Sequence, residues 1–388
     1  MKVATIRCNS YNEEKVFAAV KRGIELIGGI DALKGKTLLK PNLLGYYPPE
    51  KGITTHPAVV KAVSDLINSN GGRPHLADSL GMAIPYTKES LKKLYRITQM
   101  EGLGVNLNYD TGYKSFFRDG KGFRLINLIS DVDSVVNIPK LKTHSYTILS
   151  CGVKNLFGLI PGFDKLGYHS TLPKIGDFAS MLFSLADVVQ PKLTIVDGIV
   201  GMEGNGPSGG ILRDIGWIIV SDNPILADLA ACRLIGWKPE IVPGLSERAK
   251  FDGCEWLGDE VVPISPPLRL PQGVAPWGRF GRYLKPFFTA KPFVSLVCIG
   301  CGVCEKTCPR EAIKIMEGTK AQRHKGTKHS TESRTPFMLK DAKAKINDAK
   351  CIRCYCCQEL CPQGAILLKS SYLAKAITFL VDKGIYSR

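Results

Sequence analysis

Near its C-terminus the sequence repeats one spacing, Cys298-x2-Cys301-x2-Cys304-x3-Cys308-Pro309 and Cys351-x2-Cys354-x2-Cys357-x3-Cys361-Pro362. No other feature limits the fold so sharply. Thiolates are soft ligands suited to iron–sulfur clusters, and the two-residue gaps let a short loop wrap one face of a cube. The fourth cysteine of each run ligates the other cube. The pattern therefore predicts two [4Fe–4S] clusters. One uses Cys298, Cys301, Cys304 and Cys361, the other Cys351, Cys354, Cys357 and Cys308. Zinc is the rival metal, but zinc sites use paired CxxC units rather than two such four-cysteine runs. Cys356 is one thiol too many, a bystander or a reserve ligand.

The two runs continue alike after their prolines, as Glu311-Ala312-Ile313 and Gly364-Ala365-Ile366. This internal symmetry resembles the duplicated bacterial ferredoxins and implies a small α+β two-cluster domain over residues 293–369. Residues 309–350 separate the runs, more than a compact ferredoxin needs. Within them, residues 317–345 hold eight Lys/Arg against three acidic residues. This basic insertion either docks an acidic redox partner protein or is simply solvated.

A chain of 388 residues is too long for a ferredoxin alone. The N-terminal segment lacks the apolar core of a signal peptide, and clustered thiols suit a reducing compartment, so a cytoplasmic location is expected. No apolar run reaches the length of about 18 residues that a transmembrane helix needs. Strand patterns fall at 2–8, 36–40, 74–78, 134–138, 193–197 and 216–221. Helical patterns fall between them at 12–27, 57–68, 88–100, 174–189 and 224–235, with Pro57 and Pro224 at first-turn positions. This alternation predicts an α/β layered domain with a mostly parallel sheet over residues 1–260. Residues 261–292 contain seven prolines and read as a linker, so the C-terminal unit is expected to be separable by proteolysis. The linker's Trp277, Phe280, Tyr283, Phe287 and Phe288 pin it to the body or face a partner. Residues 370–388 carry apolar positions at helical spacing and read as a tail helix, docked on the protein or lying on a membrane surface.

Polar residues collect where the predicted strands end: Lys40-Pro41-Asn42, Asp78-Ser79, Lys140 to His144, and Asp197-Gly198. Carboxyl ends of parallel strands share one rim of the sheet, where ligands bind. Lys140, Lys142, Lys154, His144, Asp78 and Asp197 are therefore the candidate catalytic residues. The lysines suit a small anionic substrate, and His144, His56 or His169 is the candidate proton donor. The glycine-rich stretch 203–210 either lays N–H groups on an anion or is an ordinary loop; it lacks the P-loop ending.

Lys40-Pro41-Asn42, Thr54-Thr55-His56-Pro57, the run from Asn137 to His144, Val153 to Gly158, and Asp197-Gly198 with Glu203 to Pro207 resemble the iron–sulfur-centre family built on the domain of unknown function three-six-two. The resemblance spans residues 36–236 and implies a C-terminal two-cluster ferredoxin domain, as the cysteines do. Two functions fit: an iron–sulfur oxidoreductase acting on a small anion, or an electron-transfer or assembly module whose α/β domain binds a partner protein. The formal charge of +17 also raises nucleic acid, which has only this charge and one basic loop behind it and is set aside.

Overall fold

The computed structural model describes residues 1–81, 84–118, 120–248, 253–272, 289–316 and 343–370. The aromatic residues of the linker, most of the basic insertion and the tail beyond residue 370 lie outside the described residues.

The N-terminal domain carries strands β1 (Lys2–Arg7), β2 (Lys36–Pro41), β3 (Arg73–Leu76), β4 (Asn106–Leu107), β5 (Tyr113–Arg118), β6 (Lys121–Ile126), β7 (Ser134–Ile138), β8 (Lys140–His144), β9 (Ile148–Ser150), β10 (Leu193–Glu203), β11 (Ile211–Ser221) and β12 (Glu255–Gly258). Among the described residues, ten of them build a mixed sheet in the order β12-β1-β11-β10-β7-β2-β3-β4, with β8 on β10 and β9 on β8. Six of its pairings are parallel; β1–β11, β10–β11 and β8–β9 are antiparallel. The layered α/β architecture expected from the alternation is thus present.

Both faces of the sheet are covered, and neighbouring strand residues alternate between two cores. Leu38, Val135, Val196 and Ile219 face the core with Phe178, Leu182 and Leu226. Leu39, Val136, Ile195 and Ile218 face the core with Val20, Val63 and Tyr95. Helices start where the sequence signals them. Asn12 caps Glu13–Leu26 through a bond from Lys15 N, and Asn223 caps Pro224–Leu234 by accepting from Ile225 and Leu226 N–H.

Two local expectations change. Asp197 does not end its strand: β10 runs on to Glu203, pairing with β11 through a bulge between Gly198 and Val200. The residues after β7 are not a loop either. Pro139 has no N–H and breaks the ladder, but its carbonyl still accepts from Asp197 N, and the chain resumes as β8 beside β10.

The C-terminal domain has two antiparallel ribbons, β13 (Lys291–Val294) with β16 (Ile366–Lys369), and β14 (Ile313–Met316) with β15 (Lys343–Ile346). Its first strand begins two residues inside the stretch expected as linker. Within that stretch, the described residues 261–272 are held to the body: Ile264 N bonds Leu234 O, Trp237 Nε1 bonds Leu268 O, and Arg269 pairs with Glu203.

Candidate functional site

The ribbons explain how the cysteines meet. Each cysteine loop leaves one strand and enters another, and the strands pair across the two repeats. The loop after β13 is therefore beside Cys361, which precedes β16, and the loop after β15 is beside Cys308, which precedes β14. Cys298, Cys301, Cys304 and Cys361 line one small cavity. The Cys304 thiol is pushed up to about 11 by burial and then by Cys301, Cys361 and Cys298. Cys357 is likewise raised, by burial and then by a thiol neighbourhood that includes Cys354, Cys351 and Cys308. Ala312 N donates to Cys308 Sγ and Ala365 N to Cys361 Sγ, both at 3.1 Å. The two loops share left-handed positions, Gly300 and Gly302 in one, Arg353 and Tyr355 in the other. Among the described residues no three metal-binding side chains close on a single-ion point. Four of the eight thiols instead converge on one cavity, as the ligands of a cluster do.

A second cavity of about 50 Å³ lies where the loop of Cys351–Cys361 meets the α/β domain. Lys142 and His144 from β8, Lys154 from the helical turn Gly152–Asn155, and Lys165 and His169 from the helix Gly162–Thr171 line it. The ferredoxin-like domain supplies Glu359, from its helical turn Cys356–Glu359. Glu359 Oε2 lies 3.7 Å from His144 Nε2.

The buried lysines have few anionic partners. Lys142 Nζ donates to Ile53 O, and Lys165 Nζ donates to Ser79 Oγ at 2.7 Å and Leu80 O at 3.0 Å. Burial depresses both to about 7, with neighbouring lysines adding to the effect and Glu359 and Asp78 opposing it. Burial also lowers Lys154. His144 is held well below the usual histidine range by burial and then by Lys154, and His169 is lowered to about 3 by the same causes. Both imidazoles are neutral at physiological pH. His144 Nδ1 accepts from Tyr146 N and Thr147 N, so its proton is on Nε2, toward Glu359.

The structure divides the sequence candidates. Lys142, His144 and Lys154 share this cavity. Asp78 lies behind it, 2.9 Å from Lys40 Nζ, and a side chain at Gly158 would collide with this pair. Asn155 joins the pair to the cavity wall by donating to Lys40 O and Asn137 Oδ1. Lys140 and Asp197 belong to a different network. Lys140 Nζ lies 2.9 Å from Asp197 Oδ2 and 2.6 Å from Tyr11 OH, and Tyr11 donates to Asp197 Oδ1. His56 stacks on Tyr11 at 3.7 Å and caps its helix by accepting from Ala58 N, so it is remote from the cavity's histidines in role and partners.

Lys165 and Glu359 complete the cavity; Lys165 belongs to the polar run that follows Lys154 in the sequence but is not among the candidate catalytic residues, and Glu359 is missed by sequence reasoning. Lys165 sits in a helix with no motif of its own. Glu359, between Cys357 and Cys361, carries no sequence signal that separates it from a solvated acid of a cysteine loop. The glycine-rich stretch 203–210 joins β10 to β11 and receives the cysteine loop: Gln358 Nε2 donates to Asn205 O at 2.8 Å, and Ser208 Oγ to Glu359 O at 2.9 Å.

Residues 37–233 match the Domain of unknown function (DUF362), and residues 297–365 match a 4Fe-4S dicluster domain. The latter supports iron–sulfur clusters and an electron-transfer role. A thylakoid-associated protein of Synechocystis sp. is 31% identical over 278 residues, covering 69% of this chain and 85% of the relative. Among solved structures, the lactate racemase apoprotein from Thermoanaerobacterium thermosaccharolyticum is 13% identical with a TM-score of 0.40, over 60% of this chain and 56% of that one. A Thermotoga maritima protein is 14% identical with a TM-score of 0.34, over 58% of each chain. This chain thus spans little more than half of either solved protein. No helix among the described residues is long and apolar enough to cross a membrane. By the extent of its domain match and of its Synechocystis relative, the chain belongs to the DUF362 family, with a 4Fe-4S dicluster domain following the family domain.

Proposed function

We propose that the protein is an iron–sulfur oxidoreductase that passes electrons to a small anion held in the seam cavity. Cys298, Cys301, Cys304 and Cys361 hold one [4Fe–4S] cluster, and Cys351, Cys354, Cys357 and Cys308 hold the second. Bound clusters of this kind take up and release single electrons. The backbone N–H groups on Cys308 and Cys361 suit anionic cluster sulfur ligands. The observation that carries the reading is Glu359: the cavity wall it forms lies in the same short turn as Cys357, so cluster loop and cavity are one structure.

Lys142, Lys154 and Lys165 hold the anion's charge. Lys142 and Lys165, near 7, are the groups that exchange protons at neutral pH, in place of the histidines. His144 positions the ligand as a neutral donor, and Asp78 braces the wall through Lys40. Lys140 and Asp197 tie β8, β10 and Tyr11 together and act as positioning residues. The test is to reduce the anaerobic protein, mix it with small oxyanions and follow reoxidation by absorbance. Lys154→Met is expected to slow it at least about tenfold with iron content unchanged. An equal rate in the variant would remove the reading.

A second reading, a relay without chemistry of its own, draws on the first cysteine loop. Leu296 is 87% and Val297 59% exposed beside Cys298, and Cys301 is exposed. An acidic redox protein with an apolar centre fits there. Reoxidation by such a protein and by no small anion would favour the relay. Eight cysteines given to clusters and the other five outside any disulfide suit a reducing compartment such as the cytoplasm. Cell fractionation that finds the protein on membranes would replace that location with a peripheral one.

A further inference from the structure

Three properties of the seam cavity limit what it can hold. The first is charge. Lys142, Lys154 and Lys165 line it against one carboxylate, Glu359, and the Lys40–Asp78 pair behind it balances itself. The second is unmet polarity. Lys154 is half-buried and has no hydrogen-bonding partner among the described residues; its Nζ lies 4.6 Å from the Phe157 ring centroid. His169 Nδ1 and Asn42 Oδ1 are buried and also unpartnered there, and both residues line the cavity. Buried polar groups are ordinarily satisfied, so two unsatisfied buried atoms on lining residues, beside an unpaired half-buried lysine, mark a place for a polar ligand. The third is size. A volume of about 50 Å³ is small, room for only a few water-sized positions, since one water needs at least roughly 10–15 Å³. Gly158 lines this space, and its backbone rests on the fixed Lys40–Asp78 pair, so that wall has no slack.

Taking the cavity as the substrate site, we propose that its ligand is a compact oxyanion of roughly three to five non-hydrogen atoms, a one- or two-carbon carboxylate or an inorganic oxyanion. Lys154 anchors it, with Lys142 and Lys165 on either side. Three lysines against Glu359 accommodate one or two negative charges. Nucleotides, sugar phosphates, tricarboxylates and aromatic acids are too large. Glu359 faces the ligand from the cysteine loop, and its like charge limits how much negative charge the site accepts.

The experiment is calorimetric titration of the anaerobic, cluster-loaded full chain. The probes are sodium formate, nitrite and bicarbonate, with citrate and AMP as oversized comparators. At least one compact probe is expected to bind saturably, the comparators are expected to give no heat, and Lys154→Met is expected to weaken binding at least about tenfold. Silence from every compact probe overturns the proposal, as does unchanged binding in Lys154→Met. Citrate or AMP binding as tightly as the compact probes overturns the size limit. That comparison uses the unmodified chain, so it decides even where the variant fails to load its clusters. A compact anion that binds without reoxidising the reduced protein upholds this site and removes the electron-transfer reading. Reoxidation by a large anion alone does the reverse.

Discussion

Burial reverses the acid–base roles that residue types alone imply. Histidine is the side chain whose ordinary pKa lies nearest neutrality, but His144 and His169 are buried beside lysines and stay neutral. Lys142 and Lys165 come down to about 7 for the same reason. An unfolded lysine titrates near about 10.4. Between pH 7 and that value the unfolded chain therefore binds protons that the folded chain does not. The contribution of these lysines to stability must rise with pH across this window, by up to about 1.4 kcal/mol per pH unit for each lysine. Below pH 7 the cost of these charges is fully present and flat. The check is anaerobic urea unfolding at pH 7, 8 and 9, comparing the chain with Lys142→Met. The gap between the two stabilities should change steadily with pH, in favour of the unsubstituted chain as pH rises. Parallel profiles would mean that Lys142 keeps an ordinary pKa. By the same linkage, a bound anion favours the protonated lysines, so its affinity should fall as pH rises above about 7.

At the scale of elements, strand pairing decides which thiols meet. β14 pairs with β15 and β16 with β13, so each repeat's fourth cysteine enters the other repeat's loop. Cys308→Ala is therefore expected to damage the cluster of Cys351, Cys354 and Cys357 and to spare the one nearer in sequence. EPR of the reduced variant should show one uncoupled cluster where the intact chain, with about eight irons, shows two interacting ones. Loss of the cluster of Cys298, Cys301 and Cys304 instead would reverse the assignment. The sequence spells out elements of this kind unevenly. β7 runs over 134–138 as expected, and β1, β2 and several helices differ from expectation by a few residues, because strands covered on both faces are continuous apolar runs with Pro or Asn at the following helix start. β8 is hidden because Lys140, Lys142 and His144 alternate with Leu141 and Thr143. That period signals a strand, but polar side chains suggest water rather than the interior, where all five residues lie. β5 and β6 pair as a ribbon apart from the main sheet, with Phe117 exposed, and give no run of buried residues to read. The left-handed Arg353 and Tyr355 also escape notice, since their counterparts in the other loop are glycines.

At the scale of the whole molecule, the cavity exists only while the two domains stay together, and the nature of their seam determines how firmly. A proline-rich linker suggests separable units, but the described seam is more intimate than that. Tyr355, from the second cysteine loop, and Leu368, from β16, belong to the large apolar core of the α/β domain. Tyr355 OH donates to the buried Ala290 O at 2.9 Å, and Leu360 lies against Gly81. Gln358 and Ser208 add neutral hydrogen bonds. Among the described residues the contact at salt-bridge distance across the seam, His144 with Glu359, involves a histidine held neutral, and the attraction of Glu359 to Lys142, Lys154 and Lys165 is buried, so salt screens it little. An engineered protease site within residues 273–288 provides the test. After anaerobic cleavage the brown fragment should co-elute with the α/β fragment on size exclusion, both in dilute buffer and in about 0.5 M salt, where the Debye length is only a few ångströms. Separation in salt alone would show that charge holds the seam. Separation under both conditions would make the domains independent modules. The cavity, without its Glu359 wall, would then be an open groove on the α/β domain, and the electron relay would be the better account of the molecule.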